Sequence, residues 1–283
     1  MNYRLLSGIL ILALASMACG FTIDIPRRAT PGPDITDEIT VAAPSGDETR
    51  LTIAFGAGKL KLSSGADDQL VSGTATYNIE DLKPVITEEN GDVRIRQGDY
   101  ELKEIPSFDG IKNDWDLQLG NVPMDLTIQA GAYDATYEFG GLSLTGLTVK
   151  DGAANVNLSF SSPNESEMSV LRYETGASNV ELKGLANANF NTLVFQAGAG
   201  EYTLDFSGEL QRDATITMSS GFSNIILVIP ENVNANVTME SGLTNVSTGS
   251  SWDKNGTLYA QAGDGPTLTF VVKMGAGNIT LTD

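Results

Sequence analysis

One twelve-residue phrase recurs along the chain, and it limits the possible folds more than any other feature. In generic form it reads apolar, any, apolar, any, small, Gly, any, any, polar, apolar, any, apolar. Its clearest copies are LTIAFGAGKLKL (51–62), LTIQAGAYDATY (126–137), LRYETGASNVEL (171–182), ITMSSGFSNIIL (216–227) and FVVKMGAGNITL (270–281). The central glycines are Gly56, Gly131, Gly152, Gly176, Gly198, Gly221, Gly242 and Gly275. From Gly131 to Gly242 they advance in steps of 21, 24, 22, 23 and 21 residues. A strand-like phrase with a period near 22 is the signature of a solenoid.

Apolar residues stand five and three positions before each glycine, as in Leu126 and Ile128 or Ile216 and Met218. The residues between them are mostly Thr, Gln, Lys, Glu or Ser. Such alternation predicts a strand with one wet and one dry face. It resumes beyond the glycine, with Val156 and Leu158 or Ile225 and Leu227. The glycine therefore marks a bend or a close backbone approach between two strand halves that face one interior. A single repeat cannot bury its dry face, whereas stacked repeats cover one another. Twenty-two residues at roughly 3.3 Å each make a circuit of about 70 Å, too long for a hairpin. The expected fold is all-β, a right-handed parallel β-helix with coils of about 22 residues. Asn155, Asn179, Asn224, Asn245 and Asn278 each stand three residues after a corner glycine. In register, their amides would form a hydrogen-bonded structural ladder along the stack.

The rest of the chain brackets this array. Residues 1–18 combine Arg4, the apolar run LLSGILILALA and small residues before Cys19, which reads as a signal peptide. Cys19, the only cysteine, stands where a bacterial lipobox places the acylated residue, although Ser16 occupies a position usually held by Leu. Ordinary secretion with cleavage near Ala18 is the plainer alternative. Residues 19–36, with three prolines, form the expected lipidated tether. Residues 37–119 are expected to cap the stack and supply its first coils. There VRIRQGDYEL (93–102) is a degraded copy two periods beyond Gly56, with room for a worn coil between. NIEDLKPVITEENGD (78–92) carries turn signals at Pro84 and Asn90–Gly91. The regular array runs over 120–283, interrupted at 249–265, where Asn255–Gly256 between Trp252 and Tyr259 predicts a hairpin. Because the last copy ends beside Asp283, its coil is expected to be an open edge. Weak self-association or partner docking is expected there.

The formal charge of −19 disfavours nucleic acid as a partner. Histidine is absent, which removes the commonest general base and transition-metal ligand. The carboxylate groups Asp67–Asp68, Glu88–Glu89 with Asp92, and Asp109 with Asp114 and Asp116 are candidates for calcium or acid–base work. None matches a calcium-binding pattern, and solvated surface accounts for them better. No catalytic residue, cofactor site or metal site is expected. Stacked β-helices that cleave polysaccharides use aspartates and basic residues on one face. No such row appears here, so an enzyme of that kind is the weakest reading.

The glycine-cornered array, with W-D-L-x-L-G-x-x-P-x-D-L at 115–126, resembles the bacterial toastrack-type adhesin-like families. These include the C-terminal domain of cell-wall-stress regulators related to LiaF. The resemblance implies a β-helical extracytoplasmic domain engaged in adhesion, scaffolding or envelope-stress sensing. It brings no catalytic residues. Unlike those regulators, this chain has no multi-helix membrane region. The expected protein is a lipid-anchored surface module that binds a protein or glycan partner and performs no catalysis. An accessory protein docking on a membrane partner is the alternative.

Overall fold

A computed structural model describes residues 31–44, 49–98 and 110–283. Cys19, the signal and most of the tether lie outside the described residues, as does Asp109. The strands are β1 (Ile35–Ala42), β2 (Thr49–Ser64), β3 (Gln69–Tyr77), β4 (Val85–Glu89), β5 (Asp92–Arg96), β6 (Asn113–Leu119), β7 (Met124–Glu138), β8 (Leu144–Ser159), β9 (Met168–Lys183), β10 (Phe190–Asp205), β11 (Ala214–Val228), β12 (Asn234–Thr248), β13 (Asp253–Asn255), β14 (Leu258–Gln261) and β15 (Thr267–Thr282). All belong to one open sheet.

Its centre is a stack of eight long parallel strands in the order β2, β7, β8, β9, β10, β11, β15, β12. Each is one copy of the phrase. Leu51, Leu126, Leu147, Leu171, Leu193, Ile216, Phe270 and Val237 fall in one column. Burial switches parity at the glycine. In β9, Leu171 and Tyr173 are buried before it, and Ser178, Val180 and Leu182 after it. A straight strand keeps one parity, so each strand consists of two arms meeting at a corner and enclosing a shared core. That core is nearly all aliphatic and aromatic, with rings in contact such as Tyr173 on Phe195 at 5.7 Å and Phe206 on Phe270 at 5.1 Å.

The corner glycines also form one column, and its cause is space. A Cβ on Gly131 would stand 2.4 Å from the Gly56 carbonyl oxygen, and one on Gly176 or Gly198 equally close to the glycine oxygen of the preceding rung. Neither backbone could yield without separating the rungs. None of these glycines has a positive φ, so conformational freedom is not the reason.

Short return segments join the rungs, and buried asparagines build them. The Asn164 side chain accepts from the Leu144 N–H and donates to the Leu144 carbonyl, both at 2.8 Å. Asn187 repeats the device one rung on, between Phe160 O and Glu209 N. Glu138 fastens another return, accepting from Gly140 N, from Ser159 and from both Ser161 donors. Burial raises this carboxyl, but those bonds together outweigh it and hold it below the usual range.

Both ends of the stack depart from sequence order. At the first end β2 takes the second slot. The outer slot is a split rung, in which β5 pairs with the first arm of β2 and β6 with its second arm. The described part of the copy at 93–102 therefore supplies a first arm. The rung's second arm comes from 113–119, and between the end of β2 and β5 the chain forms β3, antiparallel to β1 and β6, and β4, antiparallel to β5, with no worn coil. Gln97 and Asn113 fill the corner of this rung. Gln97 Oε1 accepts from Gly56 N at 2.9 Å and from Asn113 Nδ2 at 2.8 Å, and Trp115 Nε1 donates to Asn113 Oδ1 at 3.0 Å. The β4–β5 hairpin turns at Asn90 and Gly91, both with positive φ, as the dipeptide predicts.

At the other end the last repeat is not terminal. β15 lies between β11 and β12, paired along its length with both. Ile279 faces the core, fully buried. The expectation of an exposed edge at residues 270–281 is thus corrected, because the outermost long strand is β12. The β13–β14 hairpin covers only the first arm of β12, over Ala235–Thr238. Its two-residue turn is Gly256–Thr257, one residue later than expected. Trp252 and Tyr259 are both buried. No helix among the described residues is long and apolar enough to cross a membrane.

Candidate functional site: the outer face and the corner beneath it

Because the rungs are in register, outward residues form columns at about 4.8 Å spacing. Three residues past the corner the column runs Lys59, Asp134, Asn155, Asn179, Glu201, Asn224, Asn278, Asn245. Asn155 donates to Asp134 at 2.9 Å, Asn179 to Asn155 at 3.1 Å, and Asn278 to Asn224 at 2.8 Å. The amides thus form two short ladders. Glu201, which has no amide hydrogen to donate, lies between them. Asn245 holds the last position with no bond to the row among the described residues. The neighbouring column two residues before the corner holds Gln129, Lys150, Glu174, Gln196, Ser219, Lys273 and Glu240. There Lys150 pairs with Glu174 at 3.0 Å and Lys273 with Glu240 at 3.1 Å. These exposed pairs stabilise little. What they contribute is a broad face of amides, hydroxyls and balanced charge with a fixed spacing.

A buried polar network lies beneath the corner. Asp151 occupies the position just before Gly152, where β2, β7 and β10 have Phe55, Ala130 and Ala197. Its carboxylate accepts from Tyr173 Oη at 2.7 Å, from Thr175 Oγ1 through a short bond, and from Ser178 Oγ at 3.2 Å. Ser178 Oγ also accepts from Ala154 N at 2.9 Å, and Tyr137 Oη lies 3.2 Å from Tyr133 Oη. Three hydroxyls of β9 thus converge on this half-buried carboxylate. It ties β8 to β9 at the corner through hydroxyls of its own chain.

The tyrosines carry a measurable consequence. Burial, with Asp151 nearby, pushes the Tyr133 hydroxyl well up. Burial and then Tyr133 do the same to Tyr137, and burial, Tyr133 and Asp151 to Tyr173. Folded values above the unfolded value of about 10 mean that stability is intact below pH 10 and declines above it. Three such groups steepen the loss to roughly 4 kcal/mol per pH unit. We expect their phenolate absorbance to appear in one step with loss of the β-sheet circular dichroism above pH 10. Gradual ionisation near pH 10 with the fold intact would show these hydroxyls to be solvated.

The carboxylate groups suggested by sequence do not converge. Asp92 pairs with Arg50 at 3.1 Å and Asp116 with Lys61 at 3.0 Å, across adjacent strands. Glu88 and Glu89 stand exposed on β4, and Asp67 and Asp68 in an exposed turn. Among the described residues no three His, Cys, Asp or Glu side chains gather as a metal site. Sequence reasoning missed Asp151 and the buried Asn164 and Asn187. Asp151 had a visible signal, an acid in a column otherwise apolar or hydroxylated.

Fold and surface together define a stacked β-sheet protein whose described rungs carry in-register outward columns. A family profile described as the N-terminal domain of toast_rack, DUF2154, matches residues 30–171, and the chain belongs to that family. Among solved structures, a candidate cell adhesion protein from Clostridium sporogenes shares 16% identity, with TM-score 0.50 over 88% of this chain and 99% of its own. A candidate adhesin from Bacteroides fragilis shares 12%, with TM-score 0.36 over 90% and 99%. A candidate lipid binding protein from Parabacteroides distasonis shares 12%, with TM-score 0.40 over 91% and 100%. At these identities the likeness is one of fold. No curated protein matches the sequence significantly.

Proposed function

We propose that this protein is a lipid-anchored extracytoplasmic module that presents the outer face of its stack to a protein or glycan partner, without catalysis. The observation that carries this reading is the register of the outer columns. Amides, hydroxyls and paired charges repeat at each rung over about seven steps of roughly 4.8 Å. An extended partner with its own repeat would meet the same donors and acceptors at successive positions, and the affinity of many weak contacts would accumulate. In this reading the coils wind right-handed with about 22 residues each, and Cys19 carries the acyl chains. The fold likeness to a candidate cell adhesion protein supports it, as does the binding of the Asp151 carboxylate by three hydroxyls of its own chain.

Two measurements test it. A fatty-acid analogue should label the protein in bacterial cells, and Cys19→Ala should abolish the label; a label that survives the substitution contradicts the anchor. A glycan array probed with and without calcium should show binding that Asn155→Ala with Asn179→Ala weakens. Turnover of a polysaccharide in the same assay would contradict the non-catalytic reading. Recovery of one detergent-solubilised membrane protein with no glycan binding would favour the accessory role.

A further inference from the structure

We propose that a second copy of this chain docks on the free outer edge of the second arm of β12, Leu243–Thr248, forming an antiparallel pair about a two-fold axis. Among the described residues this arm pairs with β15 on one side only, since β14 stops at Thr238. An unpaired edge presents backbone donors and acceptors that another strand can satisfy.

The other sheet edges are guarded by charge and this one is not. β1 carries Asp37 and Glu38, β4 carries Glu88 and Glu89, and β13 carries Asp253 and Lys254. The sequence from Leu243 to Thr248 is L-T-N-V-S-T, with no charge and no proline. The face behind it is also unlike the rest of the stack. The outward residues of the last three rungs form a grid: Phe222, Ala276 and Leu243; Asn224, Asn278 and Asn245; Ile226, Thr280 and Ser247. All nine are uncharged. The column of Phe222 and Leu243 is alanine in every other rung, from Ala57 to Ala199. Here Phe222 is 69% exposed and Leu243 85%. In a chain of charge −19, two copies repel at most orientations. This is where they can meet without opposing carboxylates.

The geometry selects a closed pair. A strand edge paired antiparallel with its own copy is isologous and ends the assembly at two. Head-to-tail growth would require the opposite end of the stack, whose outer strands β1 and β4 are acidic. A pair centred on Asn245, at the middle of the free arm, keeps the two outer faces on one side and places Asn245 against Asn245 of the second copy and Leu243 against its Ser247.

The test uses the full chain in detergent with Cys19→Ser. Asn245→Cys should give a disulfide-linked dimer under mild oxidation, and Thr136→Cys, exposed on the second arm of β7 with a rung paired on either side, should not. Sedimentation equilibrium should give a dimer, and Asn245→Asp, which sets two carboxylates face to face, should weaken it at least about tenfold. Leu243→Ser, at an exposed site, gives a second reading should Asn245→Asp alter the fold. Equal cross-linking at 136 and 245 would overturn the proposal. So would a monomer at all concentrations, association unaffected by either substitution, or an Asn245→Cys chain that links only to a different protein.

Discussion

Alanine at Gly176 is expected to destabilise the protein by about 3 kcal/mol or more, far beyond the usual effect of adding one methyl group. The methyl would lie 2.4 Å from the Gly152 carbonyl oxygen. Both atoms belong to backbone held in the ladder on either side, so relief requires neighbouring rungs to part. Where φ is ordinary and a methyl has room, glycine to alanine is neutral or favourable, because it restricts the unfolded chain. Gly249 supplies the comparison. A Cβ there meets nothing nearer than 3.7 Å, and Gly249→Ala should stay within about 0.5 kcal/mol of the parent. Urea unfolding of the two variants measures the difference. Equal stabilities would mean that the glycine column is loose and that close approach does not select it.

Deleting residues 266–283 should be the most damaging truncation the chain can suffer at this end. In a solenoid whose last repeat is terminal, removing it exposes one fresh coil and costs one interface. In this protein it removes the rung between β11 and β12, so both lose a partner along 14 paired positions each. The buried side chains of Leu268, Phe270, Val272, Ile279 and Leu281 leave with it. A gap one rung wide remains unless β12 slides across it, and the hairpin bonded to β12 would have to move too. We expect loss of cooperative unfolding, with exchange protection gone from β11 through β14 and retained in β7 to β9. A sharp transition shifted by only a few degrees would indicate that β15 sits at the end after all.

The interior of the stack was legible because one phrase does two jobs. Its alternation specifies which face is dry, and its glycine specifies the corner, so spacing alone sets the register of β7 to β12. The ends were not legible for the same reason. Equivalent rungs fit equivalent slots, and nothing within F-V-V-K-M-G-A-G-N-I-T-L states which neighbours it takes. The information lies in the hairpin at 253–261. By pairing with β12 it holds that strand at the outside and leaves only the inner slot for β15. The split rung is harder still, because its halves, 92–96 and 113–119, lie apart in sequence and its corner is made by Gln97 and Asn113 in place of glycine. The outer patch, by contrast, was readable. Phe222 and Leu243 break a column of alanines, just as Asp151 breaks a column of apolar and hydroxyl side chains. Comparing columns across copies, and not only residues along a copy, exposes all three.

Strand order within a parallel, in-register stack is the claim on which the rest stands, and a disulfide reads it directly. In a Cys19→Ser chain, cysteines at Ser219 and Lys273 would lie on paired positions of β11 and β15, about 4.8 Å apart, within disulfide reach. Cysteines at Ser219 and Glu240 would be two rungs apart, roughly 9.6 Å, beyond it. The stack predicts rapid oxidation of the first pair with the fold retained, and none of the second. Cross-linking of the second pair without the first would contradict it.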